Sequence, residues 1–283
     1  MLAVALAAVS GLVWGVGDFA GGKGTQGAAS MPVAWLSKLV SLPLLALYIG
    51  LTYVAVQPTS LLWGALAGAA GMVGLITFYQ ALSGGAMTVV APVTAVTSAS
   101  IPVIVGLASG EHPSPIRLVG VVCALVAIAL VSLSPTPVGQ VTVVTRRLIV
   151  MSVLSGACFA LFFIFMAMAS RVSSGTSGLW PSAAAQLAAL TLGAILLAIT
   201  RPGPWPKGRS LRWTLVAGPF DMTANALYLL ATRRGDLSIV APLAALYPVT
   251  TVILALVVDR ERLRVVQVVG LVLAAAALAL VNR

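Results

Sequence analysis

The sequence alternates between long apolar runs and short polar gaps. Ten runs reach about the 20 mostly apolar residues that a membrane-spanning helix needs. Pro, Gly and basic residues concentrate in the gaps, which suits exposed turns. The pattern therefore predicts an all-α integral membrane protein with ten transmembrane helices and no extramembrane domain. The predicted spans are about residues 2–20, 31–51, 60–82, 86–108, 116–133, 148–170, 178–200, 210–232, 237–258 and 265–281.

The first five runs resemble the last five. A shift of 150 residues aligns Trp63 with Trp213, Pro92 with Pro242, Glu111 with Glu261 and Gly120 with Gly270. Because five is odd, the second copy enters the membrane from the opposite side. Such inverted repeats are a recurring plan of secondary transporters, whose solute site lies at the repeat interface near mid-membrane. The predicted organisation is a five-span repeat at 1–134, a linker at 135–147 and a second repeat at 148–283.

Composition supports the membrane assignment. Hydrophobic residues make up 60% of the 283 positions and charged residues only 8%, whereas soluble domains carry about 25% charged residues. The net charge of +10 comes from Lys and Arg that lie mostly in the gaps, as membrane anchors do, and this pattern argues against nucleic-acid binding. The single His excludes a histidine-based metal cluster. We expect no cofactor and no metal.

Several motifs together suggest a family. The first span contains Trp14-Gly15, the fourth and ninth spans each contain Ala-Pro, and an acid follows each of those two spans. In this order and duplication they resemble the EamA-type transporters of the drug/metabolite transporter (DMT) superfamily, over essentially the whole chain. The resemblance implies uptake or export of a small metabolite, such as an amino acid, across the cell membrane by alternating access. It does not fix the substrate.

Membrane orientation stays open. Ten spans place both termini on one side of the membrane, and the resemblance implies that this side is the cytoplasm. Five basic residues fall in gaps on that side and ten on the other. This distribution is the reverse of the positive-inside rule, which would place both termini outside.

The eighth run carries an acid, Asp221, near its middle. A charge at mid-membrane depth costs about 2.5–3.5 kcal/mol on insertion scales, so it marks a functional site by default. Asn225 and Tyr228 follow one and two helical turns later on the same face. We predict that these three residues line the solute or proton pathway and that Asp221 couples transport to protons. The alternative is a structural acid, protonated or paired with Lys38 or Tyr228.

Other polar residues within the runs extend this predicted pathway. Asp18 either lines the mouth of the cavity or is a helix-end acid near Lys23. Lys38 either pairs with an intramembrane acid or snorkels to the interface, and snorkelling is the favoured interpretation. Trp14, Gln80 and Gln186 complete the predicted set of pathway residues. The repeat partner of Asp221 is Gly71, which predicts that the second half supplies the charge and the first half the space.

The remaining predictions concern helix geometry and the membrane edges. Pro92, Pro219 and Pro242 lie inside spans and are predicted flex points for gating, or else fixed kinks. Glu111 and Glu261 are predicted to be structural acids at the interface, paired with nearby basic residues such as Arg117 and Arg260.

The sequence as a whole favours a proton-coupled secondary transporter whose partners are a small-molecule solute, protons and the lipid bilayer. The alternatives are a flippase for a lipid or a lipid-linked sugar, and an intramembrane enzyme. The enzyme is disfavoured because the chain has no GxSxG segment and its single His lies at a membrane edge.

Overall fold

A computed structural model describes residues 1–52, 54–82, 87–133, 145–172, 177–200, 203–260 and 264–283. Within these ranges all regular secondary structure is α-helical. The helices are α1 (Leu2–Thr25), α2 (Ser30–Val40), α3 (Leu42–Thr52), α4 (Pro58–Leu82), α5 (Met87–Ala108), α6 (Pro115–Val131), α7 (Arg146–Val172), α8 (Trp180–Ile199), α9 (Gly208–Thr232), α10 (Leu237–Ala244), α11 (Tyr247–Val258) and α12 (Val265–Val281).

The predicted all-α, multi-pass membrane architecture is confirmed. Each of the ten apolar runs is helical, the second as α2 with α3 and the ninth as α10 with α11. Seven of these helical stretches, within the described residues, are both long and apolar enough to cross a membrane. Helices α6 and α12 are apolar but have only 17 residues each. Helix α9 has 25 residues, yet its composition is less apolar because it carries charged and polar side chains.

Two runs are interrupted, and a proline lies just beyond each interruption. Helix α2 stops at Val40 and α3 resumes at Leu42, one residue before Pro43. Helix α10 stops at Ala244 and α11 resumes at Tyr247, with Pro248 in its first turn. Proline lacks a backbone N–H and disfavours helical geometry in the residue before it, so both interruptions have a local cause.

The prolines predicted as flex points behave differently from these two. Helix α5 continues through Pro92, and α9 continues through Pro219. Pro242 lies inside α10, two residues before that helix ends. A gating role for the three prolines therefore stays a prediction.

The main helix contacts join the first half of the chain to the second, and they come in matched pairs. The contact of α1 with α9 matches the contact of α7 with α4. The contact of α2 with α9 likewise matches the contact of α8 with α4. Helices α10 and α11 pack on α1 as α5 packs on α7. Helix α6 packs on α12, the helix that corresponds to it in the predicted repeat. The core of the molecule is consequently the interface between the halves.

Hydrogen bonds between the helices show the same matched contacts. The Ser10 hydroxyl of α1 donates to the Ala224 carbonyl of α9 over 2.9 Å, and the Ser155 hydroxyl of α7 donates to the Gly74 carbonyl of α4 over 2.8 Å. Close backbone approach requires glycine at equivalent places as well. A Cβ at Gly68 would overlap the Ala185 carbonyl, and a Cβ at Gly218 would overlap the Ser37 carbonyl. Small residues are what allow membrane helices to approach this closely.

Candidate functional site: a charged cavity between the two halves

A cavity of about 270 Å³ lies at the centre of the interface between the halves. Two groups of helices form most of its wall, α1 with α2 and α9 on one side and α7 with α8 and α4 on the other. Six of the predicted pathway residues line it: Trp14, Asp18, Lys38, Gln186, Asp221 and Asn225.

Asp221 and Lys38 form an ion pair in the cavity wall. The Lys38 ammonium donates to a carboxylate oxygen of Asp221 over 2.6 Å, and both side chains are about one-quarter exposed, 25% and 28%. The favoured interpretation that Lys38 snorkels to the interface is therefore wrong. Lys38 lies close to the break after α2, where the chain runs beside α9, and this position brings its ammonium to Asp221. The pair links the first half of the chain to the second.

Asp18 is the second acid of the cavity. Its side chain is exposed to the cavity, and among the described residues it has no hydrogen-bond or ion-pair partner. The alternative partner considered from the sequence, Lys23, pairs with Asp259 instead. With both carboxylates ionised, Asp18, Asp221 and Lys38 give the cavity a net charge of −1. The prediction that only the second half supplies charge is wrong, because Asp18 and Lys38 belong to the first half.

Amide side chains brace the backbone around the ion pair. The Gln186 amide nitrogen donates to the Lys38 carbonyl over 2.6 Å, across the contact between α8 and α2. The Asn225 amide nitrogen donates to the Asp221 carbonyl, also over 2.6 Å. Both residues therefore hold the main chain at a charged position while they face the cavity. Ser182, one turn before Gln186, also lines the cavity, and its buried hydroxyl has no hydrogen-bond partner within the described part of the chain.

Aromatic rings form the opposite part of the wall. Trp14 contacts Phe163 edge-to-face with ring centroids 5.6 Å apart, and Phe162 at 6.2 Å. Tyr228 does not line the cavity; it is fully buried behind Trp14, with centroids 5.7 Å apart. The Tyr228 hydroxyl donates to the Phe163 carbonyl over 3.0 Å. Its position supports the aromatic wall rather than contacting the solute space.

Gln80 lies near the end of α4, away from the residues that line the cavity. Among the lining residues that sequence reasoning missed are Phe159, Phe162, Phe163 and Ser182. The repeat contained a signal for the aromatic ones, since Ser10 and Ser155 align at a shift of 145 residues. The same shift carries Trp14, Gly17 and Asp18 of α1 onto Phe159, Phe162 and Phe163 of α7.

Glu111 occupies a different place, in the loop after α5. One carboxylate oxygen accepts from the Leu237 backbone N–H over 2.9 Å and the other accepts from the Ser238 N–H over 2.8 Å, at the start of α10. Arg171 from the end of α7 also binds the carboxylate. The predicted neighbour, Arg117, is not its partner among the described residues.

This environment changes the acidity of Glu111. Burial alone would raise the pKa of Glu111, but the hydrogen bonds from Ser238 and Leu237, together with Arg171, hold it below its ordinary value. Glu111 thus stays ionised at neutral pH and caps α10, a helix of the other half. The equivalent acid, Glu261, and residues 135–144 of the predicted linker lie outside the described residues.

The described residues contain no group of three or more His, Cys, Asp or Glu side chains that could hold a metal ion. The cavity offers a partly exposed ion pair, an unpaired carboxylate and an aromatic wall. This arrangement can bind an organic solute.

Comparison with known protein families gives a match for the second half of the chain. Residues 146–283 match the model of the EamA-like transporter family. Its second half is an EamA domain. The resemblance to EamA-type transporters of the DMT superfamily, inferred from the motifs, is thereby confirmed. The EamA-like family is a family of membrane transporters rather than of enzymes.

Solved structures show the fold of the complete chain. A protein of known crystal structure superposes on this chain with a TM-score of 0.76, covering 98% of this chain and 95% of its own, at 16% sequence identity. At that identity the likeness shows the fold alone. No curated protein matches the sequence.

Proposed function

We propose that this protein is a secondary transporter that moves a small organic metabolite, of about the size of an amino acid, across the cell membrane. Transport proceeds by alternating access, with protons as the coupling ion. One observation carries the proposal: the charged cavity is enclosed between matched helices from the two halves. A volume of about 270 Å³ lies near the lower end of the range of roughly 300–1,000 Å³ for drug-sized ligand sites. That size suits a small metabolite better than a lipid.

The proposed mechanism rests on a duplication of five spans with inverted orientation. The matched packing supports it: α1 on α9 as α7 on α4, and α2 on α9 as α8 on α4. In such carriers the site stays fixed near mid-membrane while one set of helices rocks against the other. Contacts at both ends of the bundle would then exchange. Glu111 with Arg171 lies at the end where α1 begins, and Lys23 with Asp259 lies at the opposite end.

Proton coupling is proposed to act through Asp221. Its carboxylate holds Lys38 only while it is ionised, and this pair joins α9 of the second half to α2 of the first. A proton bound by Asp221 would remove the attraction and change the charge of the cavity by one unit. Protonation is thus linked to a contact across the interface that must move during alternating access.

Transport in proteoliposomes tests this proposal. Asp221→Asn keeps the size of the side chain but cannot exchange a proton. With a panel of radiolabelled amino acids and amines, the native protein should accumulate at least one compound when a pH gradient is imposed. Asp221→Asn should lose the accumulation and keep exchange of the same compound at equal pH.

The matched control is Asp236→Asn. Asp236 precedes α10, and its side chain makes no capping hydrogen bond, so this variant removes a carboxylate outside the cavity. It should transport like the native protein. Full gradient-driven accumulation by Asp221→Asn would rule out Asp221 as the coupling group.

A further inference from the structure

The two sides of the cavity are chemically different although their helices correspond. The charged group is α1, α2 and α9, and the apolar group is α7, α8 and α4. Both groups pack in the same order, α9 between α1 and α2 and α4 between α7 and α8. Residues at equivalent positions can therefore be compared directly.

Polar residues of the charged group correspond mostly to apolar or small residues of the apolar group. Asp18 corresponds to Phe163 at the shift of 145, and Asp221 and Asn225 correspond to Gly71 and Leu75 at the shift of 150. Gly68 contacts Ala185, and its repeat partner Gly218 contacts Ser37, so Ser37 corresponds to Ala185 at a shift of 148 residues. The same shift makes Lys38 correspond to Gln186. All eight of these residues line the cavity. The solute thus meets charge on one side and, apart from the amide of Gln186, an uncharged and largely apolar wall on the other.

With Asp18 ionised, the charges do not cancel. Lys38 is neutralised by Asp221 at 2.6 Å, whereas Asp18 faces the cavity without a partner among the described residues. An occluded cavity would take Asp18 out of water, and an ionised carboxylate is costly to bury unless a cation accompanies it. The unpaired charge therefore selects a positive group on the solute.

The apolar group selects the rest of the solute. Phe159, Phe162 and Phe163 are contributed by one helix, α7, and Trp14 packs against two of them from α1. Aromatic rings offer apolar contact area to hydrocarbon and attract cations through their faces. An aliphatic or aromatic body fits this wall, while a second charged end does not.

We propose that the solute of this cavity is a small amphiphilic monocation, an organic amine or guanidine whose charged end binds Asp18 and whose apolar body contacts Phe162 and Phe163. The proposal rests on the proposed transport function and narrows its substrate. It also separates amines from amino acids. The carboxylate of an amino acid would have to compete with Asp221 for Lys38, whereas an amine leaves that ion pair intact.

Binding of matched compounds tests the charge preference. Phenethylamine, phenylalanine and 3-phenylpropionate share a phenyl ring on a two-carbon chain but carry a cationic, a zwitterionic and an anionic end. Calorimetric titration of the purified protein should show the amine binding at least about tenfold more tightly than the amino acid, and the acid binding least. The aliphatic series isopentylamine, leucine and 4-methylpentanoate repeats the comparison with a smaller body.

Variants assign the preference to named charges. Asp18→Asn removes the unpaired carboxylate and should weaken amine binding by at least about tenfold, with little effect on the acid. Asp18→Asn combined with Asp221→Asn leaves Lys38 as the only charge among the described residues that line the cavity, and should reverse the order, so that the acid binds best. Asp236→Asn, outside the cavity, should change neither order nor affinity. Thermal unfolding of each variant checks that it is folded.

Two outcomes would overturn the proposal. One is tighter binding of either acid or either amino acid than of its matching amine by the native protein. The other is failure of both amines to bind at about 10 mM, which is weaker than any useful affinity. If amino acids or acids are transported in proteoliposomes while amines are not, this inference fails and the transport function stands. If no compound is transported, the transport function itself fails.

Discussion

Glu111→Gln is expected to destabilise the end of the bundle where α10 begins. In the native protein the Glu111 side chain is only 7% exposed, and both of its carboxylate oxygens accept a backbone N–H of α10. Glutamine has the same shape, but one of these oxygens becomes an amino group. Either Leu237 or Ser238 then faces a donor instead of an acceptor.

The size of the effect follows from those contacts. A hydrogen bond to a charged group contributes about 1.5–3 kcal/mol, and a buried N–H left unpaired costs about 1–3 kcal/mol. Loss of one such bond with one orphaned N–H therefore lowers the free energy of unfolding by about 2.5–6 kcal/mol. At roughly 2–4 °C per kcal/mol for domains of 150–250 residues, the apparent melting temperature falls on the order of 10 °C.

Fluorescence-detected thermal unfolding in detergent micelles at pH 7 measures this difference. Arg171→Gln is the comparison, because the Arg171 side chain is 47% exposed and solvent screens its contribution. It should lower the melting temperature far less than Glu111→Gln. Equal effects of the two variants, or a melting temperature of Glu111→Gln within about 2 °C of native, would refute the capping role assigned to Glu111.

Three further predictions use stability as the readout. Because the pKa of Glu111 is lowered on folding, the stabilisation by Glu111 is fully present above its ordinary pKa of 4.5 and is lost as the pH falls through the folded value. The melting temperatures of the native protein and of Glu111→Gln should therefore converge in acid and diverge toward neutral pH. Parallel curves of melting temperature against pH would contradict this. Ser182→Ala removes a buried hydroxyl without a partner and should leave the melting temperature unchanged or raise it, whereas Ser155→Ala breaks the bond to α4 and should cost about 1 kcal/mol. Gly68→Ala should block folding and give aggregated protein in size-exclusion chromatography, because the added Cβ would overlap the backbone of α8. The Cβ added by Gly50→Ala meets no described atom within 4 Å, so this control should be tolerated. Monodisperse Gly68→Ala protein would show that the helices can separate.

Span positions were predictable because each run must satisfy its own backbone hydrogen bonds in lipid, so the constraint is local in sequence. Pairings between spans are not local. The partner of Lys38 depends on where α2 stops and on which helix runs beside it, and neither appears in the apolar pattern. Snorkelling was a reasonable expectation for a lysine some eight residues into a run, and the break before Pro43 places that lysine elsewhere.

The residues of the candidate site were also predictable only where the signal was local in the sequence. Asp18 and Asp221 were found because an acid within an apolar run is conspicuous. Phe162 and Phe163 were missed because phenylalanine in an apolar run is ordinary and carries no signal of which way it faces. Only the repeat could have identified them, through their correspondence with Gly17 and Asp18. The roles of all these residues in transport remain predictions.

The packing of each half against the other also has a consequence for how the protein is made. The chief neighbours of α1 are α9, α10 and α11, and those of α4 are α7 and α8. When ribosomal synthesis has delivered the first five spans to the bilayer, these helices still lack the surfaces they will finally bury. Asp18 and Lys38 are then in lipid before Asp221 exists. We therefore expect two half-chains made separately to recover a folded protein only when they are produced together.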